Sequence, residues 1–205
     1  MHPKVLGADG WAVVRKLVSA GHLEGWILAG GTGLALQFGH RRSVDLDFFR
    51  AETLDLDVLI DALSRLGSIA VQARSAGTLH VSLDGMRLSF LEAQAPLLFA
   101  GTAYRGLVVA DPRDIAIMKV VAIGGRGSRK DFVDLYFFLR SGGALDALMA
   151  LLRRRFTNID YNEYHLLKSL VFFDDAEREP MPRMLRRTSW RDVKETIIAE
   201  VRRLS

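Results

Sequence analysis

Residues 44–48 alternate strictly between apolar and acidic side chains, and this pattern constrains the fold more than any other segment. Side chains two residues apart in a β-strand point to the same face, so a strand here places Asp45 and Asp47 together. The apolar residues Val44, Leu46 and Phe48 form the other face, which we expect to pack inward. Two carboxylates on one face repel unless a cation lies between them, and Mg²⁺ or Mn²⁺ suits such oxygen ligands. The alternative is an edge strand with a solvated acidic face.

A glycine turn precedes this strand. Residues 26–29 are wholly apolar and end at Gly30 and Gly31, which indicates a buried strand followed by a tight turn, and Thr32 then caps a predicted helix. Such a turn exposes backbone N–H groups and the positive end of a helix dipole, and both suit phosphate. Taken alone it is only a turn. Close to the carboxylate pair, it indicates a site for a nucleoside triphosphate with its metal.

Several basic or hydroxyl side chains are candidates for the same site. Arg42 and Ser43 directly precede the acidic strand, where they would bind phosphate oxygens; a solvated loop position is the alternative for Arg42 and the favoured interpretation for Arg41. Lys119 lies in the segment 115–122, which is apolar nearly all round. It therefore either reaches water along its stem or meets an acid or a phosphate in the cleft.

Two aspartates follow on the next predicted helix. Ser128 and Asp131 have the spacing of a capping box with Asp in place of Glu, so we interpret Asp131 as a structural residue. Asp134 lies inside the helix, where Asp is unfavourable. We therefore expect Asp134 to face the cleft and to pair with Lys119.

The pattern along the chain predicts an α/β or α+β core over 1–110, of which we favour α+β, and a helical region over 111–205 that packs on this core. Asp84-Gly85 is a two-residue hairpin signal between two predicted strands. The further predicted strands are 69–74, 78–83 and 86–91, and the predicted helices are 9–20, 55–66, 111–123, 128 to about 141, 145–156, 161–173 and 190–204.

Composition excludes several classes of site. The 205 residues include no cysteine, which excludes disulfides, zinc-thiolate sites, iron–sulfur clusters and thiol nucleophiles. No apolar run approaches the roughly 20 residues that span a bilayer, and the N-terminus lacks a secretory pattern, so we expect a cytoplasmic protein without a membrane partner. The net charge of +4 is compatible with an RNA or nucleotide partner without requiring one.

Four segments together resemble the nucleotidyltransferase family of AbiEii/AbiGii-type abortive-infection toxins. They are LAGGTGLAL at 28–36, HRRSVDLDFF at 40–49, RKDFVDL at 129–135 with Lys119 upstream of it, and LVFFDDAE at 170–177. The order of these motifs is specific, although each motif alone is not.

The resemblance implies a core of the DNA-polymerase-β type, a mixed sheet flanked by helices with a helical C-terminal region. It implies Mg²⁺ (or Mn²⁺), a nucleoside triphosphate, and transfer of a nucleotidyl group to an RNA such as tRNA or to a protein. It also implies a toxin accompanied by a cognate antitoxin. The site residues that carry over are Gly30, Gly31 and Thr32 as the nucleotide turn, Asp45 and Asp47 as metal ligands, Lys119 as the nucleotide-contacting lysine and Asp134 as the helical acid.

One position departs from the wider superfamily, which often supplies a third carboxylate from a neighbouring strand. The chain has Ser89 where we expect that carboxylate, while Asp84 lies in a turn and Glu92 just past the strand. The third carboxylate helps to deprotonate the attacking hydroxyl. Its absence keeps open an alternative: a nucleotide-binding or partner-binding module with weak or no catalysis.

Overall fold

The computed structural model describes residues 1–157, 159 and 161–204. In these residues seven strands form one sheet in the order β3-β4-β5-β2-β1-β7-β6. The strands are β1 Ile27–Leu28, β2 Asp45–Arg50, β3 Ile69–Ser75, β4 Thr78–Leu83, β5 Met86–Glu92, β6 Thr102–Tyr104 and β7 Leu107–Val109. The helices are α1 Ala8–Ser19, α2 Gly30–Phe38, α3 Leu56–Ser64, α4 Pro112–Arg126, α5 Arg129–Arg140, α6 Leu145–Arg155, α7 Glu163–Leu170, α8 Asp174–Glu177 and α9 Trp190–Arg202.

The sheet is mixed, and its register decides which side chains meet. β2 pairs with β5, and β1 with β7, in parallel, whereas the other neighbours are antiparallel. Asp45 lies opposite Arg87, and Asp47 lies opposite Ser89, which in turn faces His80 on β4. These five side chains therefore share one face of the sheet.

Two apolar clusters account for most of the core. In the first, α1 and α3 cover the face of the sheet that carries Leu46 and Phe48, both of which are fully buried. Burial of each such side chain contributes about 1.5–3 kcal/mol, which fixes the strand and leaves its acidic face turned away from this cluster. The second cluster joins α4, α5, α6, α7 and α9. The boundary at residue 110 remains a prediction.

The α+β prediction is confirmed, together with the strands over 69–74, 78–83 and 86–91 and the hairpin turn. Asp84 and Gly85 adopt φ of 50° and 80°, as a two-residue turn with two left-handed positions requires. β6 and β7 were not predicted, because strands of three residues are too short to show a period.

Three local expectations were wrong. Val44 is 60% exposed and precedes β2, so it does not join the buried face. α4 continues through the two glycines at which it was predicted to end and stops at Gly127, which adopts a left-handed φ of 53°. α7 is shorter than the predicted 161–173.

No single helix in the described part of the chain is long and apolar enough to cross a bilayer. α5 and α6 reach that length and composition only as a pair bent by 112°. Many of their apolar side chains lie in the second core cluster.

Candidate active site

Asp45 and Asp47 stand at the start of β2 and line the same cavity, whose volume is about 460 Å³. Both side chains are half-buried, so they reach the cavity from a strand whose opposite face is anchored in the core. The predicted common face of the two carboxylates is confirmed. Their role as metal ligands remains a prediction.

The glycine turn lies directly beside Asp47. Gly30 has a left-handed φ of 57°, and a Cβ there would lie 2.2 Å from Asp47 Oδ2, so only glycine allows this approach. α2 begins at Gly30, and no side chain caps its N-terminus. Its first N–H groups therefore point outward without an intrahelical acceptor, the arrangement that binds anions.

Thr32 does not cap α2 as predicted. It lies inside the first turn of the helix, where it is fully buried, and its hydroxyl donates to the main-chain oxygen of Asp45. The residue therefore ties the glycine turn to β2 and does not itself line the cavity.

Behind the cavity, Asp134 is the centre of a buried polar network. It is fully buried, and it accepts hydrogen bonds from Arg41 Nε at 2.6 Å and Arg41 Nη2 at 2.8 Å. His40 Nε2 donates to the same carboxylate at 2.8 Å, and Lys119 Nζ lies 2.8 Å from it. The predicted pairing of Lys119 with Asp134 is confirmed, but Asp134 itself does not line the cavity.

Asp131 belongs to the same network, so its interpretation as a capping residue was wrong. Ser128 precedes α5 without a side-chain capping bond; its hydroxyl donates to Glu179 instead. Asp131 is fully buried and binds Lys119 Nζ at 2.7 Å and Arg126 Nε at 3.1 Å. Two cations compensate a buried carboxylate better than a capping role would.

Arg41, which was expected to be solvated, is only 4% exposed. Two nitrogens of its guanidinium donate to Asp134, and its Nη1 donates to the main-chain oxygen of Arg42 at 3.1 Å. A Cβ on Gly31 would lie 2.2 Å from Arg41 Nη2. Arg41 thus packs under the glycine turn, and Gly31 is needed there for space.

Charge compensation fixes the ionisation of this network. Burial alone would raise the pKa of Asp134, but Arg41 and Lys119 hold that pKa well below its usual value. Burial alone would lower the pKa of Lys119, yet Asp134 and Asp131 raise it above its usual value. Burial lowers the pKa of His40, despite its bond to Asp134. At neutral pH His40 is therefore neutral, while Lys119 and Asp134 are charged.

The cavity wall is strongly basic. Arg42 and Ser43 line it as predicted, and the buried Nε of Arg42 has no hydrogen-bond partner among the described residues. Lys119 also lines it and is only 5% exposed. Further basic residues on the wall are Arg87, Arg126, Lys130 and Arg183. Such a wall suits a ligand with several negative charges.

The carboxylate pair fits a divalent cation whose other ligands come from elsewhere. Within the described residues, no group of three or more His, Cys, Asp or Glu side chains could hold a metal. Mg²⁺ is commonly held by one or two carboxylates together with substrate phosphates and water. Asp45 Oδ1 is buried and accepts no aligned hydrogen bond, although Arg87 Nε forms an ion pair with it at 2.6 Å.

Ser89 occupies the position across from Asp47, so β5 provides no carboxylate beside the pair. Its hydroxyl lies 3.1 Å from His80 Nδ1. In the folded sheet, Ser89 therefore stands at the position beside Asp47 where a third carboxylate would lie.

The sequence patterns predicted no role for His40 or Arg87, and they predicted a solvated position for Arg41. His40 and Arg41 were marked only by their place just before the acidic strand, and Arg87 only by its place in the predicted strand 86–91, because their partners lie far away in the chain. Arg41 and His40 reach Asp134 across separations of 93 and 94 residues. No local period reports such contacts.

Comparisons with solved structures support the fold. JHP933 from Helicobacter pylori has a TM-score of 0.51 at 15% identity, over 100% of this chain and 97% of that one. The antibiotic-resistance factor ANT(2'')-Ia has a TM-score of 0.55 at 16% identity, over 75% of this chain and 96% of that one.

Sequence comparison is more specific. The protein aq_aa25 of Aquifex aeolicus (strain VF5) is 40% identical over 174 residues, which cover 81% of this chain and 82% of that protein. The family described as nucleotidyl transferase AbiEii toxin, type IV TA system, matches residues 11–103 and 87–203. The two segments matched by the family model include the glycine turn, the acidic strand and the buried network, and they show that the protein is a nucleotidyltransferase belonging to the AbiEii toxin family.

Proposed function

We propose that the protein transfers a nucleotidyl group from a nucleoside triphosphate to a hydroxyl of an RNA, such as tRNA, or of a protein. It would use Mg²⁺ or Mn²⁺ and act in the cytoplasm as the toxin of a toxin–antitoxin or abortive-infection system with a cognate antitoxin. The supporting observation is one cavity that joins Asp45 and Asp47 to Gly31 and Lys119.

In this proposal Asp45 and Asp47 hold the metal, which would neutralise charge on the triphosphate and on the departing pyrophosphate. The N–H groups of Gly30, Gly31 and Thr32 bind phosphate oxygens at the N-terminus of α2. The other phosphate ligands in the proposal are Arg42, Ser43 and Lys119.

The transfer step forms a bond between the acceptor oxygen and the α-phosphorus. The bond from the α-phosphorus to the bridging oxygen breaks and its electron pair leaves with pyrophosphate. The proton of the acceptor hydroxyl passes to solvent water, because β5 supplies no carboxylate beside Asp47 to take it. These side chains contribute by orienting the α-phosphorus and by stabilising the negative charge that develops on the leaving group.

Asp134 supports catalysis from behind the cavity. Because it is fully buried and already bonded to Arg41, His40 and Lys119, it acts as a positioning residue and does not touch substrate. It holds Lys119 charged at the cavity wall and keeps Arg41 beneath the glycine turn.

Ser89 favours a second candidate: a nucleotide-binding or partner-binding module with weak or no catalysis. Without a carboxylate on β5 next to Asp47, the sheet supplies no third acid to take the proton of the attacking hydroxyl. This candidate predicts metal-dependent nucleotide binding with no product for any acceptor.

The test uses purified full chain with each of the four triphosphates, labelled at the α-phosphorus, and with total tRNA or protein as acceptor. Mass spectrometry of RNA and protein identifies the product. We expect the Asp45→Asn/Asp47→Asn double variant to lose transfer by about 10³-fold or more. Asp61→Asn on α3, an exposed position outside the cavity, serves as the control. Transfer that survives the double variant contradicts the metal assignment, and binding without any product supports the second candidate.

A further inference from the structure

A second cavity, of about 300 Å³, lies farther along the sheet face that carries the two carboxylates. Phe49 lines it and follows Asp47 by two residues on β2, about 6.6 Å along the strand. On the helical side, Lys119 lines the first cavity while its neighbours Met118 and Ala122 line the second. β2 and α4 therefore each border both cavities, although the two cavities have no lining residue in common.

The second cavity contains a buried cation with spare donor capacity. Arg155 lines it and is only 6% exposed. Its Nη1 donates to the main-chain oxygen of Asp114 at 3.3 Å and forms an ion pair with Asp114 Oδ1 at 3.5 Å, and its Nη2 donates to the main-chain oxygen of Ala95 at 3.5 Å. Its Nε, in contrast, has no hydrogen-bond partner among the described residues. A buried donor without an acceptor is costly unless a ligand satisfies it.

The rest of the lining identifies the chemical class of that ligand. Phe49, Leu91, Met118 and Tyr161 provide apolar and aromatic surface that suits the faces of a flat ring. Glu92 also lines the cavity, where its carboxylate repels a phosphate but accepts from an amino group. A heterocyclic base fits this combination better than an anion does.

We propose that this cavity receives the base of the triphosphate whose phosphates occupy the first cavity, with Arg155 donating to a carbonyl oxygen of the base. The proposal rests on the proposed function. Guanine, cytosine and uracil each carry such an oxygen, whereas adenine carries none. The cavity therefore selects against adenine nucleotides.

Calorimetric binding to the full chain in the presence of Mg²⁺ tests this assignment with five probes: tripolyphosphate, GTP, CTP, UTP and ATP. We expect ATP to bind at least tenfold more weakly than the best of the other three nucleotides. Arg155→Met should remove that difference and leave tripolyphosphate binding unchanged. The control is Arg154→Met, an exposed neighbour on α6 that does not line this cavity.

A second variant keeps the test decisive if Arg155→Met does not fold. Ala122→Phe places a ring in the cavity and should weaken every nucleotide at least tenfold without changing tripolyphosphate binding. Nucleotide affinities that are unchanged in the folded variants would overturn the base site while leaving the proposed function intact. Failure of the wild-type chain to bind tripolyphosphate and all four nucleotides would instead overturn the proposed function and the base site with it.

Discussion

Two pairs of aspartates, each with a basic neighbour, are held in opposite ways. Asp45 and Asp47 are half-buried and line the larger of the two cavities, and among the described residues their one ion-pair partner is the largely exposed Arg87. Asp131 and Asp134 are fully buried, and four side chains bond to them in the described structure: His40, Arg41, Lys119 and Arg126.

The difference separates groups that can take a ligand from groups that can only hold other side chains. A carboxylate whose two oxygens are already bonded to cationic side chains in a dry site has no free oxygen to offer and is costly to disturb. A carboxylate at a cavity wall with few partners keeps its lone pairs for a cation. Both pairs consist of aspartates, so residue type does not distinguish them. Exposure to solvent and the number of bonded side chains decide whether a pair can bind a ligand.

The largest difference should be in stability. Asp134→Ala leaves Arg41 and Lys119 as buried charges without their main partner, so we expect a loss of about 3–5 kcal/mol in the free energy of unfolding. Asp131→Ala should lower the free energy of unfolding by less, because fewer side chains bond to Asp131 than to Asp134. Asp47→Ala should change the free energy by less than about 1 kcal/mol. Urea denaturation measures all three, and equal losses for Asp134→Ala and Asp47→Ala would remove the distinction between the pairs.

Lys119 connects the two pairs of aspartates, because it bonds to the buried pair and also lines the cavity that contains Asp45 and Asp47. We expect Lys119→Met to lower triphosphate affinity or turnover by at least about tenfold, roughly 1.4 kcal/mol, while the fold survives. Lys130→Met, which removes an exposed cation from the same wall, is the matched control and should change either quantity by less than about threefold. If the two variants change triphosphate affinity and turnover by the same factor, burial of Lys119 has no functional consequence.

The smallest expected effect is on the pH dependence of the free energy of unfolding, to which His40 in the buried network contributes. Burial lowers the pKa of His40 in the folded state, so below its usual value of 6.5 the unfolded chain binds more protons than the folded chain. The stabilising contribution is complete above pH 6.5 and decreases as the pH falls towards the folded-state pKa. Denaturation between pH 7.5 and 5.5 should show a shallower slope for His40→Asn than for wild type. A wild-type slope in His40→Asn would contradict the assignment of this pH dependence to His40.

Local sequence patterns predicted the elements that build the cavity, because each is encoded over a few residues. The period of two in 44–48 correctly placed Asp45 and Asp47 on one face, and the Asp84-Gly85 signal placed the hairpin. The paired glycines indicated that a helix follows the first strand, although α2 begins at Gly30 and not after the predicted cap Thr32. Steric rules and periodicities of this kind act between near neighbours and need no knowledge of the rest of the chain.

The same local reasoning failed where a distant partner provided the stronger interaction. Spacing alone favoured a capping role for Asp131, worth about 1 kcal/mol at an exposed helix end. The folded chain instead buries Asp131 against Lys119 and Arg126, and it buries Arg41, expected in solvent, against Asp134.

The sequence by itself thus determined that a carboxylate pair would stand beside a glycine turn on a rigid strand, since alternation and glycine geometry are local properties. Tertiary structure alone decided which aspartates face the cavity and which are sealed behind it. That choice depends on contacts between residues more than 90 positions apart, such as Arg41 with Asp134. Burial and charge compensation act through space, and only the packed chain brings the compensating charges together.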